Sequence, residues 1–570
     1  MTHPGRHLLL FAPAALLLGL FFVAPIGGFL VQGFLDRDGA LTLEHAGRMW
    51  AAGTYVQVMV TTVKISLWVT VLSVLVGYPV AYVLANADPR RKSTWALFVL
   101  LPFWSSFLVR TFAWIVILGR QGPVNAALVS AGLSDQPLDL LYGWAAVVIG
   151  MTNVLVPFAI LTMVGVMERI DRGLMVAAGT LGARPVQAFF RVYLPLSMPG
   201  VTASALLVFI TALGFFMAPA LLGSARETMI TQLVIQQVME LVNWPFAAIL
   251  CLLLLSTALV LFVLFDKAVG LSTLSGEAGR SASAGSGMGR RICGALGDLA
   301  AWLAETLRLP PPSPGEGGVG TKGLAILVIL FLIVPLLLLL PVSFSRQEFL
   351  SWPPAGIDLR WYREAFSSPV WLDAAGRSFI VALLTTVLCL GVAVPAALAF
   401  QRLQGGGASA AFAAMIAPLL VPRMVIAVAL FYVYARLGLV GTVAGLVIGH
   451  AVIALPYVFI AVTAVLKTYD RRLDQAAASL GASPLVTARR VTLPLIAGGI
   501  VSASLFAFVI SLDELNVALF ASGGLQSTLP KLMWDEATLR FSPLLAAVST
   551  LVLLVMSALV LLAARLRPAS

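Results

Sequence analysis

Charged residues are scarce in this chain of 570 residues, since Asp, Glu, Lys and Arg together make up only 11% of it. Hydrophobic residues make up 60%, and the mean hydropathy is +0.99. A soluble domain carries about a quarter charged residues, so this chain has too few charges to cover a surface in contact with water. The apolar runs are long and continuous rather than alternating, which argues against membrane-spanning strands. The composition therefore predicts an all-α polytopic membrane protein.

Cysteine and histidine are also rare, with three and four copies. Neither residue occurs with the spacing of a disulfide framework or of a zinc site. His450 is the one histidine within a predicted span. We interpret it as a hydrogen-bonded packing residue, with a ligand role as the alternative. An intramembrane enzyme would need a nucleophile with its base, or a metal cluster, and the sequence has neither pattern.

Twelve apolar runs are long enough to cross a bilayer, which takes about 20 residues in a helix. They fall at 8–33, 57–85, 94–118, 141–166, 198–223, 244–269, 323–343, 376–400, 408–436, 438–466, 498–521 and 542–564. Lys and Arg concentrate in the loops that lie on the same side as the two termini. By the positive-inside rule, we expect those loops and both termini to be cytoplasmic. The net charge of +11 is then a topology signal and not a nucleic-acid-binding surface.

The chain repeats itself. Residues 171–200 and 470–499, offset by 299, are identical at 15 of 30 positions. Upstream the offset is 316, and it pairs Pro79 with Pro395 and Pro102 with Pro418. The 17-residue difference is an insertion in an outward-facing loop of the first half. With six spans each, the two halves have the same orientation and form a parallel repeat, so we expect a central pathway between them.

Three regions follow from the repeat and from composition. Residues 1–270 form a first six-span domain, and residues 323–570 form a second. Residues 271–322 are rich in Gly, Ser and Pro, which is typical of a flexible cytoplasmic linker. Within the linker, residues 290–308 have apolar residues at helical spacing, so a short helix on the membrane surface and a plain tether both remain open.

The repeated segment predicts a small helical structure on the cytoplasmic face, which we call the knob (residues 171–195 and 470–494). Asp171 and Asp470 are suited to cap a short alanine-rich helix, and Gly182 and Gly481 are suited to end it. A proline three residues later begins a second short helix. A structured knob that occurs twice on one face predicts docking of a two-fold symmetric partner.

The knob resembles the signature of the permease subunits of ATP-binding-cassette (ABC) importers. That signature is a Glu-Ala-Ala triplet, a glycine four residues after it and an aliphatic-x-Leu-Pro end. Here the glycines 182 and 481 stand at that distance, with Leu-Pro at 194–195 and 493–494. The acidic residue of the triplet is replaced by Val176 in the first copy and by Gln475 in the second. The resemblance covers both halves outside the linker.

The resemblance implies a type I importer permease fold in a bacterial inner membrane, with the knobs as coupling helices. It implies two copies of an ATPase subunit on the cytoplasmic face and a periplasmic solute-binding protein. The coupling residues carried over are Ala177, Ala178, Gly182, Pro185, Arg191, Leu194, Pro195, Ala476, Ala477, Gly481, Pro484, Arg490, Leu493 and Pro494. The chain has no G-x-x-x-x-G-K-[ST] loop, and residues 315–322 are out of register for one. We therefore expect no bound cofactor, no enzyme activity of its own, and ATP with Mg²⁺ used only by the partner ATPase.

Within that family, the first half is similar to one subunit of the polyamine-type permeases, through residues 101–111 and 212–223. The second half is similar to the other subunit, through residues 437–442 and 511–514. Fused permeases for iron(III), thiamine or aminophosphonate share the layout. The resemblance implies a small organic ion as solute, with a polyamine first among these.

Ionisable residues within spans are costly and mark candidate sites. Arg110 and Arg423 lie in the third and ninth predicted spans, and Asp513 and Glu514 lie in the eleventh. One interpretation places the acidic pair beside a translocation path for a cationic solute. The other pairs the acids with the arginines as buried structural ion pairs. Both interpretations stay open, as does an anionic or zwitterionic solute, because Arg423 occupies a position that is often acidic in polyamine-type permeases.

A secondary transporter driven by an ion gradient is the competing class. It predicts an acidic relay over several spans and no structured cytoplasmic knob. The sequence contains one acidic pair and two knobs, which favours the ATP-driven importer.

Overall fold

A computed structural model describes residues 5–36, 38–269, 318–354, 356–403, 405–523 and 526–566. Over these ranges the chain is helical, and the only strand-like pairings described are two isolated bridges, between Leu35 and Leu41 and between Ser345 and Ile357. The all-α prediction is confirmed. The predicted linker helix at 290–308 lies outside the described residues.

The described part of the first half contains fourteen α-helices. They are α1 Gly5–Leu18, α2 Ala24–Gln32, α3 Glu44–Ala51, α4 Gly53–Asn86, α5 Pro89–Trp104, α6 Phe107–Leu118, α7 Pro123–Ser130, α8 Trp144–Met167, α9 Gly173–Thr180, α10 Pro185–Ala188, α11 Leu194–Leu213, α12 Met217–Leu222, α13 Ile230–Met239 and α14 Trp244–Val269. The π-helical turns Gly19–Val23 and Phe189–Tyr193 join α1 to α2 and α10 to α11.

Thirteen α-helices follow in the part of the second half that the structure describes. They are α15 Val319–Ser343, α16 Arg360–Ser367, α17 Pro369–Phe400, α18 Gly405–Leu420, α19 Arg423–Leu437, α20 Val443–Thr468, α21 Arg472–Ser479, α22 Pro484–Thr487, α23 Leu493–Leu495, α24 Ala497–Leu512, α25 Asn516–Ala521, α26 Leu529–Leu539 and α27 Pro543–Leu566. A π-helical turn at Ala488–Thr492 repeats the one at Phe189–Tyr193.

Nine helices of the described chain are long and apolar enough to cross a membrane, and two bent pairs bring the number to eleven. The apolar part of α27, Pro543–Leu559, is shorter. Several predicted spans are not continuous helices. The third is interrupted after Trp104, and the ninth bends by 93° between α18 and α19.

The fifth and eleventh predicted spans, 198–223 and 498–521, are also interrupted: α11 ends at Leu213 and α24 ends at Leu512. In the ninth span the physical reason is Pro422, which disfavours a helical conformation at Val421. In the third span the hydroxyl of Ser105 donates to the carbonyl of Pro102 at 2.7 Å and competes with the helical pattern.

Each half is a bundle around its longest helix. α4 packs against α8 and α11, and α17 packs against α20 and α24 in the same way. The first helix of each half crosses over, so that α1 packs against α17 and α15 packs against α4. Asn153 on α8 donates from Nδ2 to the carbonyl of Phe331 on α15 at 2.7 Å. The two halves therefore form one interlocked helical body.

A pair of equivalent glycines allows close packing where the chain returns to the membrane after each knob. A Cβ on Gly200 would lie 2.9 Å from the Cβ of Val166, and a Cβ on Gly499 would lie 2.2 Å from Cγ2 of Val465. Both pairs obey the 299-residue offset. The helix after each knob thus lies directly against α8 or α20.

We expect Gly499→Ala to destabilise the protein by about 1–3 kcal/mol, the usual cost of overpacking, because its new methyl group would overlap Val465. Val465→Ala in the same chain should restore most of the loss. Thermal unfolding of the detergent-purified protein measures both effects. Gly498→Ala, at a neighbouring half-exposed position, is the control. No rescue by Val465→Ala would contradict the packing explanation.

Candidate functional site: the interface between the halves and the two knobs

Two helix breaks occupy equivalent positions in the two halves. The first separates α5 from α6 at Ser105 and Ser106, and the second separates α18 from α19 at Val421 and Pro422. The offset of 316 residues pairs the two breaks. Broken helices within a membrane leave carbonyl and N–H groups that need other partners, which is tolerated where they line a cavity or are buried in protein.

The two breaks face each other across the pseudo-two-fold axis. A Cβ on Gly214, just after α11, would lie 3.2 Å from the Cβ of Pro422. Asp513, the counterpart of Gly214 after α24, accepts a hydrogen bond through Oδ2 from the N–H of Phe107 at 3.3 Å. The end of one helix in each half therefore contacts the break of the other half. These four interruptions therefore form one contact region between the two halves.

Arg110 is fully buried beside the first break. Its Nη1 donates to the carbonyl of Val154 at 2.8 Å, and its Nη2 donates to the carbonyl of Ser105 at 3.3 Å. Its guanidinium carbon lies 5.2 Å from the centroid of the Phe107 ring, within cation–π range. Arg110 thus bonds a carbonyl that the break leaves without a helical partner, and it holds α6 against α8.

Arg423 and Glu514 form a pair at the second break. Arg423 Nη1 lies 3.6 Å from Glu514 Oε2, and Arg423 Nη2 donates to the hydroxyl of Tyr457 at 3.3 Å. Glu514 Oε1 accepts from the N–H of Val517 at 3.2 Å, in the first turn of α25. The side chain of Arg423 is 26% exposed, whereas that of Glu514 is completely buried. The arginine is therefore the accessible member of the pair.

A small cavity lies between the halves at this level, with a volume of about 50 Å³. Its walls include Phe107, Phe158, Phe215, Pro422, Arg423 and Tyr457. It has room for a few water molecules only, so the interface is closed here to any organic solute. The residues named come from both halves, and separation of the halves would open this cavity.

The four charged residues predicted within the membrane thus have different kinds of partner. Arg423 and Glu514 are paired, and Asp513 is half-buried nearby against a backbone N–H. Arg110 donates both of its described hydrogen bonds to backbone carbonyl groups. Sequence reasoning missed Phe107, although the 316-residue offset pairs it with Arg423 and could have placed both at the axis.

His450 lies on α20 and is 1% exposed. Its Nδ1 is 2.8 Å from the hydroxyl oxygen of Ser511. Among the described residues no group of three or more His, Cys, Asp or Glu could hold a metal ion. The hydrogen bond agrees with the packing interpretation of this histidine.

The first knob consists of α9 and α10. Asp171 Oδ1 accepts from the N–H of Gly173 at 2.8 Å, at the start of α9. Gly182 follows α9 with φ +85°, a left-handed conformation that favours glycine. Gln187 accepts from the N–H of Arg184 through Oε1 at 3.1 Å, where α10 begins. Short-range hydrogen bonds therefore fix the shape of the knob.

The second knob repeats this geometry in α21 and α22. Asp470 Oδ1 accepts from the N–H of Arg472 at 2.9 Å, and Gly481 has φ +84°. The hydroxyl of Ser483 accepts from the N–H of Val486 at 3.4 Å. Burial, together with a hydrogen bond to Asp474, raises the pKa of the Tyr469 hydroxyl above its usual value.

The tips of both knobs are exposed. Leu181 and Leu480, equivalent in the repeat, are each 88% exposed, and they precede the glycines at φ +85° and +84°. The coupling residues Ala177, Gly182, Arg191, Ala476, Gly481, Pro484, Arg490 and Pro494 are exposed, and Ala178, Pro185, Leu194, Pro195, Ala477 and Leu493 are half-buried. An exposed leucine on a rigid turn suits insertion into a groove of a partner.

The family model described as "Binding-protein-dependent transport system inner membrane component" matches residues 75–268 and again residues 391–568. These matches cover more than half of the chain. The chain belongs to this family. It is an ABC importer permease with two permease units fused in one chain, which confirms the predicted family.

Relatives of this permease include polyamine transport subunits. It is 34% identical over 243 residues to the spermidine/putrescine transport system permease protein PotB of Haemophilus influenzae, covering 41% of this chain and 85% of that protein. It is 30% identical over 236 residues to PotC of the same organism, covering 41% and 91%. It is 29% identical over 285 residues to the inner membrane ABC transporter permease protein YdcU of Escherichia coli, covering 47% and 90%.

Among solved structures, the permease is similar to a chain of a bacterial alginate ABC transporter in complex with alginate pentasaccharide-bound periplasmic protein. The sequence identity is 18%, the TM-score is 0.41, and the match covers 46% of this chain and 94% of that chain.

Proposed function

We propose that this permease forms the translocation pathway of an ATP-driven importer and that its two knobs receive the ATPase subunits. The observation that carries the proposal is the pair of equivalent exposed knobs, with Leu181 and Leu480 at their tips. Two similar knobs on one face suit two copies of one ATPase. ATP hydrolysis takes place on those subunits, and the knobs and both termini lie in the cytoplasm.

The translocation path runs between the halves at the facing breaks. Closure and separation of the ATPase dimer move the knobs, and the knobs move the two halves relative to one another. The 50 Å³ cavity beside Arg423 and Tyr457 then widens to admit solute. Arg423, Asp513 and Glu514 line or adjoin that path, and Arg110 supports its wall.

A periplasmic binding protein delivers a small organic ion to the outer face, and a polyamine is our first candidate. The support is the identity of 34% to a spermidine/putrescine permease. At the central interface Arg110 and Arg423 balance Asp513 and Glu514, so a cation can be accommodated when Arg423 moves away from Glu514. Iron(III), thiamine and aminophosphonate remain the alternative solutes.

Reconstitution tests the proposal directly. We expect proteoliposomes that contain the permease, its ATPase and its binding protein to take up labelled putrescine or spermidine only with ATP and Mg²⁺. Liposomes without the binding protein are the control. If thiamine, an aminophosphonate or iron(III) were taken up with ATP while the polyamines were not, that solute would replace the polyamine in our assignment. Uptake driven by an ion gradient without ATP would overturn the importer proposal itself.

A further inference from the structure

One contact ties each knob to a membrane helix, and it is the same in both halves. Arg172 Nη2 donates to the carbonyl of Ala85 at 3.3 Å, and Arg471 Nη2 donates to the carbonyl of Gln401 at 2.6 Å. The two arginines are equivalent positions of the repeat at the offset of 299, and Ala85 and Gln401 are equivalent positions at the offset of 316. The same bond therefore occurs twice between equivalent residues.

Each acceptor lies at the cytoplasmic end of a membrane helix. Ala85 is the penultimate residue of α4, and Gln401 caps the end of α17. The last four carbonyls of a helix have no partner within it, and this end carries a partial negative charge. A guanidinium group is always charged and bonds such oxygens strongly. Arg471 also donates to Oε1 of Gln401 at 2.8 Å.

Two other polar arrangements link the knobs to neighbouring segments, and each occurs in one half only. In the first half, Asn86 Nδ2 donates to the hydroxyl of Tyr193 at 2.9 Å. In the second half, Asp474 Oδ1 accepts from the hydroxyls of Tyr469 at 2.6 Å and Thr492 at 2.9 Å. Neither arrangement has a residue-for-residue counterpart in the other half. Unlike these two arrangements, the arginine contact follows the symmetry of the repeat.

The helices that receive these bonds are suited to carry a displacement across the membrane. α4 has 34 residues and α17 has 32. Each packs against two helices of its own half and against the crossing helix of the other half. A force at the cytoplasmic end of α4 or α17 therefore reaches both halves.

We propose that Arg172 and Arg471 are positioning residues that transmit movement of the knobs to α4 and α17. This inference rests on the proposed coupling role of the knobs. The arginines contact neither solute nor ATP. They hold each knob in register with one helix end, so that ATP-driven motion of the knob is converted into motion of the half.

The test compares solute uptake with ATP hydrolysis in the complete reconstituted transporter. We expect Arg172→Gln with Arg471→Gln to lower uptake per ATP hydrolysed by about tenfold, within the range of coupling between sites. The ATPase should still copurify and still hydrolyse ATP. Arg172→Lys with Arg471→Lys keeps a charged donor and should restore part of the uptake per ATP. A purely structural role would lower the yield of assembled transporter and leave this ratio unchanged.

Arg169→Gln is the matched control, because Arg169 is exposed on the same cytoplasmic segment and should keep the wild-type ratio. An unchanged ratio in the double glutamine variant would overturn the inference. A ratio that falls equally in the glutamine and lysine variants would also overturn it. Absence of ATP-driven uptake in the wild type would instead refute the proposed function, so the two failures are distinguishable.

Discussion

Replacing Gly182 and Gly481 together by valine is expected to reduce ATP-driven uptake at least about tenfold. Both glycines have φ near +85°, where an L-residue costs about 1–2 kcal/mol and a β-branched residue is most disfavoured. No atom lies within 4 Å of a Cβ built at either position. The strain therefore comes from the backbone alone, and it is relieved only if the turn changes shape.

A change of this turn moves Leu181 and Leu480, the exposed tip residues, relative to the second short helix of each knob. The membrane helices are not touched, so we expect normal insertion and yield. The measurement is the initial rate of ATP-driven uptake in proteoliposomes, together with copurification of the ATPase. Gly179→Val with Ala478→Val is the matched control, since both residues lie in helices and are exposed. Equal loss of uptake in the two double variants would show that the glycine turn has no special part in coupling.

Arg423→Met is expected to destabilise the protein by about 3–5 kcal/mol, the usual cost of removing one partner of a buried ion pair. Glu514 is 1% exposed, and its Oε2 lies 3.6 Å from Arg423. The substitution leaves that carboxylate without its cation. Glu514→Gln should cost less, because Arg423 keeps its hydrogen bond to Tyr457 and part of its contact with water.

The double variant Arg423→Met/Glu514→Gln should recover most of the stability, since it removes both charges. Thermal unfolding can be followed by the reaction of a maleimide dye with the buried thiols of Cys251 and Cys389. Ser502→Ala, at a half-exposed position on α24, is the control for substitution in this region. Additive losses in the double variant would show that Arg423 and Glu514 do not stabilise each other.

Much of the fold follows from patterns that are local in the sequence. Continuous apolar runs predicted the helices, because a helix in lipid needs only its own backbone bonds and an apolar surface. The 299-residue repeat predicted two equivalent knobs. The hydrogen bonds that Asp171 and Asp470 accept at the start of each knob and the turns at Gly182 and Gly481 involve only neighbours within a few residues, and all four are present in the structure.

The interruptions of the third and ninth spans were not predicted. Hydropathy averages over a window and does not register a break of two residues, such as Ser105 and Ser106. The N–H group of Phe107, just after the break, donates to Asp513, 406 positions away. Arg110, which bonds the carbonyl of Ser105 at the break, also bonds the carbonyl of Val154 on α8.

The local shape of each knob follows from its own sequence, because the hydrogen bonds and glycine conformations that shape it are short-range effects. The way in which the knobs are joined to the membrane helices depends instead on tertiary packing. Arg172 reaches Ala85, and Arg471 reaches Gln401, across separations of 87 and 70 residues. Tertiary packing likewise decided that Arg423 pairs with Glu514 while Arg110 binds carbonyl groups. The group that each arginine bonds depends on which helix ends come together when the two halves pack. No periodicity along the chain predicts which ends those are.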